Sequence, residues 1–182
     1  MFEYGPFALR YAYEQHDDYF GLSQLGGSIA ATPTNRSSKD KGNKVIALST
    51  IQATNTKLIG EYEWLDYENS DVAAGAVTQY KRNAYYLSVQ QRFGSNLLWA
   101  AYANASDGSC TRVAAFCTTN GLGSDQWTLG YSYDLSKRTN LYATVYKINN
   151  DRSASYGVFP PAATVAPGGD TFSYGLGILH SF

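Results

Sequence analysis

Two cysteines and two histidines are the scarcest chemistry-bearing residues of this 182-residue chain. Cys110 and Cys117 bracket the segment CTRVAAFC. That spacing is wider than the C-x-x-C of a redox pair. No histidine stands near them to complete a four-ligand zinc set. A local disulfide staple across one loop is the expectation, in a compartment that permits disulfides. His16 sits beside Asp17 and Asp18, a group able to hold a cation at a loop edge but equally at home in a solvated loop. Asp66, Glu68 and Asp71 supply oxygen ligands of the kind Ca²⁺ takes, with nothing in the spacing to fix their geometry. Serines are plentiful, yet neither His16 nor His180 has a nucleophile and an orienting acid placed with it. The chain is therefore expected to be no enzyme, with no cofactor and no resident metal.

The charged residues are more informative than any such cluster. The chain carries 14 basic and 15 acidic residues, for a net charge of −1. No basic tract is present, so nucleic acid is not an expected partner. Hydrophobic residues make up 44%. Even so, no run approaches the roughly 18 to 20 apolar residues of a spanning helix. The apolar residues recur at every second position instead. Sixteen Tyr, eight Phe and three Trp favour strands, and such rings also collect at membrane–water interfaces.

Long strands are predicted over 7–16, 43–53, 56–67, 82–93, 96–106, 124–135, 139–150 and 170–182, with Met1–Gly5 finishing a preceding strand before Pro6. Tight turns fall at Thr54-Asn55, Gly94-Ser95 and Ser136-Lys137-Arg138. Long polar connections fall at His16–Gly42, Asn69–Lys81, Asp107–Gly123 and Asp151–Gly169. Strict alternation of long and short connections is what a membrane barrel produces when one rim carries turns and the other carries loops.

Phe182, His180, Ile178, Leu176, Tyr174 and Phe172 fall on one side of the final strand. Ser181, Leu179, Gly177, Gly175 and Ser173 fall on the other. Trp127, Leu129, Tyr131, Tyr133 and Leu135 likewise oppose Gln126, Thr128, Gly130, Ser132 and Asp134. Phe7, Leu9, Tyr11 and Tyr13 oppose Ala8, Arg10, Ala12 and Glu14. A charge on a lipid face costs about 2 to 4 kcal/mol at mid-membrane. Charges therefore mark the inner face: Arg10, Glu14, Lys57, Glu61, Glu63 and Arg92, with Arg82 on the parity of Arg92. Lys147 shares a face with Ala143 and Val145, opposite Tyr142, Thr144, Tyr146 and Ile148. Strand 43–53 has mixed faces. Backbone amides cannot stay unpaired in hydrocarbon, so the fold class is an all-β transmembrane antiparallel β-barrel.

The tail GDTFSYGLGILHSF, the hairpin QWTLGYSYDLSKRTNLYATVYKINND and the opening YGPFALRYAYEQ resemble the Gram-negative general porins, the beta-proteobacterial type above all. The likeness covers nearly the whole chain. It is strongest over Asp125–Phe182, and KVIALSTIQATNTKLIGEYEWLDY is similar to an earlier hairpin of that family. The resemblance implies a barrel of about 16 strands, usually trimeric, in the cell outer membrane. Ions and small hydrophilic solutes would diffuse passively through its water-filled channel. A long inward third loop, its acids facing basic wall residues, would narrow the pore. It further implies that Phe182 belongs to the signal read by the barrel assembly machinery. Arg10, Arg82 and Arg92 would carry the basic side of the pore, with Lys44 and Lys57; the alternative is that the inner basic residues fill space in internal salt bridges with Glu14, Glu61 and Glu63, which share the inner face.

The chain departs from that pattern in its extent. The strands correspond to a C-terminal half, no segment supplies the acidic side of the third loop, and MFEYGPFALRYAYEQHDD has no basic-then-apolar leader. Residues 1–182 are thus expected to form one partial porin-type domain. The alternative is a small closed eight-stranded barrel that serves as an anchor or an adhesin through loops such as LGGSIAATPTNRSSKDKGN. Such a barrel has an interior that side chains fill.

Overall fold

The structure, a computed structural model, describes residues 1–18, 38–70, 75–157 and 165–182. Period-2 alternation puts these residues into strands: β1 (Phe2–Tyr4), β2 (Phe7–Asp17), β3 (Ser38–Ile51), β4 (Thr56–Asn69) and β5 (Val77–Phe93), then β6 (Asn96–Ala105), β7 (Ser109–Arg112), β8 (Ser124–Ser136), β9 (Thr139–Asn150) and β10 (Thr171–His180). They form one ten-stranded sheet in the order β1-β2-β3-β4-β5-β6-β8-β9-β10, with β7 against β5. Every pairing is antiparallel. Among the described residues β1 and β10 each pair on one side, so the sheet is open.

Short turns join the strands at one end. Gly94 takes φ +58° in a two-residue hairpin, the geometry that matches strand twist and favours glycine at the first turn position. Asn55 takes φ +54° in the β3–β4 turn, where Asn tolerates the left-handed region. Lys137 and Arg138 turn β8 into β9, and Ser181 N–H still donates to the Arg138 carbonyl at 2.9 Å. The long connections lie at the other end.

The strand piece expected before Pro6 is β1, and the expectation of eight long strands needs one addition, β7, and two extensions. β3 begins at Ser38 rather than 43, and β5 at Val77 rather than 82. Most of the extra residues are polar and ion pairs line one side here, while Val77 and Tyr80 are buried. Lys41 pairs with Glu68 at 3.5 Å and Lys81 with Asp66 at 3.2 Å. His16 and Asp17 belong to β2, not to a loop. Antiparallel register turns His16 toward Asp40 and Asp17 toward Lys39, on opposite sides of the sheet, so they do not form one cation-binding group. Asp66 and Glu68 accept from Gln79 at 3.1 and 3.0 Å. Asp71 lies outside the described residues, as does 19–37, which holds most of the polar segment that begins at His16. No group of metal-ligating side chains occurs among the described residues.

Register divides the sheet into two faces. Residues directly opposite in an antiparallel pair share a face. One face runs Leu9–Ala47–Gly60–Leu87–Tyr102–Trp127 across β2 to β8. It continues through Val145 to Tyr174. Leu129 is 60% and Leu176 79% exposed on it. An apolar surface this continuous cannot face water in a monomeric soluble protein. Near the long-connection end it carries an aromatic row. Tyr85 and Tyr102 lie 5.8 Å apart, Tyr102 and Trp127 4.5 Å, and Tyr62 and Trp64 5.8 Å between ring centroids. His180 shares this face, bonded to Thr139 and edge-on to Phe182.

Lys147 is also on the apolar face, opposite Trp127 and Phe172. Charge alone therefore misassigns the face at this position. The residue is tolerated because it stands near the long-connection end of β9, where its ammonium reaches Asp170 at 3.2 Å. Long basic side chains near a membrane boundary extend their heads outward in this way.

Candidate pore-lining face

The opposite face collects the charges. Register places Arg10 and Glu14 of β2, Lys44 of β3, Lys57, Glu61 and Glu63 of β4, and Arg82 and Arg92 of β5 together there. Strand 43–53, ambiguous by composition, resolves in the same way, since Lys44 stands directly opposite Glu63 and Val45 opposite Tyr62.

Two ion-pair groups hold this face. Lys44 Nζ bridges Glu61 at 2.8 Å and Glu63 at 3.3 Å. Arg92 donates to Asp134 of β8 at 2.6 Å, and Asn140 donates to the other oxygen of the same carboxylate at 2.7 Å. Glu14 lies across Gly42, where any Cβ would come within 3.0 Å of it. These partly exposed pairs are worth at most about 1 kcal/mol each to stability. Their main effect is on the field above the wall.

Near the long-connection end, two segments fold over this charged face. In the first, between β6 and β8, Asp107 closes the segment on itself. Its carboxylate accepts from the N–H groups of Gly121 at 3.1 Å and Gly123 at 2.6 Å, and its carbonyl accepts from Tyr80 Oη at 3.1 Å. Gly108 has φ +74°, and a Cβ there would lie 2.2 Å from the Lys81 carbonyl, so only glycine allows the chain to pass so close. β7 then pairs with the outer part of β5. A disulfide joins Cys110 to Cys117, and both pack on the buried cluster of Val77, Tyr80 and Leu122 with Tyr67.

The second segment follows β9. Asn150 grips it, accepting from Tyr156 N–H at 3.0 Å and donating to the carbonyls of Tyr156 at 2.8 Å and Gly169 at 2.7 Å. Tyr156 is thereby held over Arg82. The guanidinium donates to its hydroxyl and lies 5.5 Å from its ring centroid, a cation–π arrangement. Burial pushes the Tyr156 phenol above its ordinary value of 10.0, against the lowering pull of Arg82. A cavity of about 320 Å³ remains beneath it, lined by Glu61, Glu63, Arg82, Tyr86, Gln126 and Tyr156 among others.

Sequence reasoning located the charged residues but neither folded segment. Ser109–Arg112 has no apolar alternation, and nothing in the residues around Tyr156 marks it as the partner of Arg82. The rest of the inner side, on β6, β8, β9 and β10, differs in kind. Register puts Trp99, Ala101 and Ala103, then Gln126, Thr128 and Gly130, then Tyr142, Thr144 and Tyr146, and finally Gly175 and Gly177 on this side. Among the described residues of these strands Asp134 is the sole inward charge.

An open antiparallel sheet with one apolar face, interrupted near its rim by Lys147, an aromatic row and a charged opposite face is the architecture of an outer-membrane channel protein of the β type. Residues 1–153 match the Gram-negative porin family, and the chain belongs to it, a class of non-catalytic transport proteins. No curated protein matches the chain.

Proposed function

We propose that the charged face is the wetted wall of an outer-membrane channel through which ions and small hydrophilic solutes diffuse passively. The observation that carries this reading is the segregation itself: one face apolar from β1 to β10, the other holding Arg10, Lys44, Lys57, Arg82 and Arg92 among Glu14, Glu61 and Glu63. Burying such a charge set in lipid would be prohibitive, whereas a water-filled lumen accommodates it.

An open sheet cannot remain open in hydrocarbon, because its edge amides would lack partners. Closure by further strands, into a barrel of about 16 assembled as a homotrimer, is the arrangement we favour. The strand ending in Phe182 would then be the segment presented to the assembly machinery. Selectivity would follow from pore diameter and wall charge. The covering segments around Cys110–Cys117 and Tyr156 narrow the long-connection end.

Single-channel recording after refolding into a planar bilayer tests the proposal. Discrete, stable open steps are expected. Reproducible insertion without conductance would sink the channel reading and favour a plugged barrel used as an anchor.

A further inference from the structure

The uncharged part of the inner side carries two aromatic platforms that the ionic description leaves without a role. Trp99 of β6 stands opposite Gly130 of β8. A Cβ at position 130 would lie 1.9 to 2.4 Å from the Trp99 indole, so the indole occupies the space above that glycine. Tyr142 of β9 stands opposite Gly177 of β10, and a Cβ there would lie 2.4 to 2.6 Å from the Tyr142 ring. Both rings thus bridge to the next strand across a residue without a side chain. One side of each ring covers backbone and the other faces away from the sheet. Tyr142 keeps 40% of its surface exposed.

The two covered glycines lie on strands separated by β9, and Gly177 stands two residues along from Gly175, which is in line with Gly130 through Thr144, a diagonal of about 12 Å at the usual strand and residue spacings. Between and beside them stand Gln126, Thr128, Ser132 and Thr144, a set of amides and hydroxyls. Glycine rescue by a cross-strand ring accounts for one ring on one glycine. It explains how both rings lie but says nothing of what their outward sides meet on a strip from which charge is otherwise absent.

We propose that this strip is a binding track for neutral saccharides. The C–H bonds on a pyranose face carry partial positive charge and suit the electron-rich face of an aromatic ring. The flanking amides and hydroxyls can exchange hydrogen bonds with sugar hydroxyls, and no ion must be stripped from the wall for the solute to bind. Two platforms about 12 Å apart are more than one sugar ring apart, so they engage the end rings of a short linear oligosaccharide and not adjacent ones. The inference rests on the inner side being solvent-lined, but not on the sheet conducting.

The test is a titration of the full chain, folded in detergent micelles, with cellotriose. Trp64 and Trp127 lie on the apolar face, so a chain with Trp64→Phe and Trp127→Phe leaves Trp99 as the sole fluorescent indole. A saturable change in its emission is expected, weakened about tenfold or more by Tyr142→Leu, with sorbitol, a polyol without a ring face, giving none. Absence of saturation with cellotriose, an equal response to sorbitol, or undiminished affinity in a folded Tyr142→Leu chain would each overturn the proposal. If Tyr142→Leu does not fold, the cellotriose and sorbitol titrations of the parent chain still decide it. A chain that conducts but does not bind refutes the saccharide track alone. One that binds but does not conduct refutes the channel alone.

Discussion

The inner side has two halves that solve the problem of facing water differently. On β2 to β5, side chains of opposite charge hold one another at ion-pair distance, as Lys44 does with Glu61 and Glu63. On β6 and β8 to β10, amides, hydroxyls and rings over glycine do the same work without charge. The apolar side shows no such division, since Leu87 and Leu129 continue one surface. Lipid imposes a uniform demand on its face, while water accepts either chemistry. The difference between the halves is therefore not imposed by the apolar face, which is the same on both.

The comparison is sharpened most by placing a charge on either side of the neutral half. Leu129→Arg should cost about 2 to 4 kcal/mol of stability in bilayers, whereas its neighbour Thr128→Arg should cost under about 1 kcal/mol, the usual scale of a surface change. Urea titration in lipid vesicles measures both, and equal losses would abolish the face assignment. The next effect is one of packing. Gly130→Ala puts a methyl into the Trp99 indole and should cost about 1 to 3 kcal/mol. Gly175→Ala should be nearly silent, since its Cβ meets only Thr144 Cγ2 at 3.5 Å.

Charge removal should be gentler on stability and plainer in selectivity. Glu61→Gln with Glu63→Gln releases Lys44 and should change stability by less than about 1 kcal/mol. The reversal potential in a salt gradient should move toward anion preference. Gln126→Glu, on the neutral half, should move it the opposite way; no movement in either variant would mean these residues do not see the permeating ion.

The smallest effect concerns the outer end of β9. Asp170 is held below its ordinary value of 3.8, first by the bond from Lys147 and then by Asn150 N–H. A depressed folded value means the contribution is complete above the ordinary carboxylate range and fades as pH falls through the lowered value. Carboxyl-carbon NMR should find Asp170 titrating below a free aspartate, and Lys147→Met should move it back toward the ordinary value, short of it by the pull of Asn150 N–H.

Strand polarity was legible where one side meets lipid, because lipid enforces alternation. Tyr131, Tyr133 and Leu135 against Ser132 and Asp134 needed no structure. The reading failed where that enforcement stops. Beyond the apolar belt, Ser38–Gly42 and Val77–Lys81 bury polar and apolar residues alike, Ser38 and Asp40 as well as Val77 and Tyr80, so their pairing leaves no periodic hydrophobic trace. β6 was opaque for another reason. Leu97 to Tyr102 is apolar on both parities, and only its register with Ser132 and Tyr131 tells Trp99 from Leu98. The charged wall residues could be grouped by parity, but the positioning of Tyr156 over Arg82 depends on contacts between distant segments that no spacing encodes.

The bond between Cys110 and Cys117 has a further use. It forms where thiols are oxidised and not where glutathione keeps them reduced. Each molecule therefore carries a chemical record of its journey. A copy whose two thiols still accept an alkylating reagent has not completed the passage, and one that refuses it has. Counting the two by mass would time the export of this chain without reference to conductance, lipid or fold.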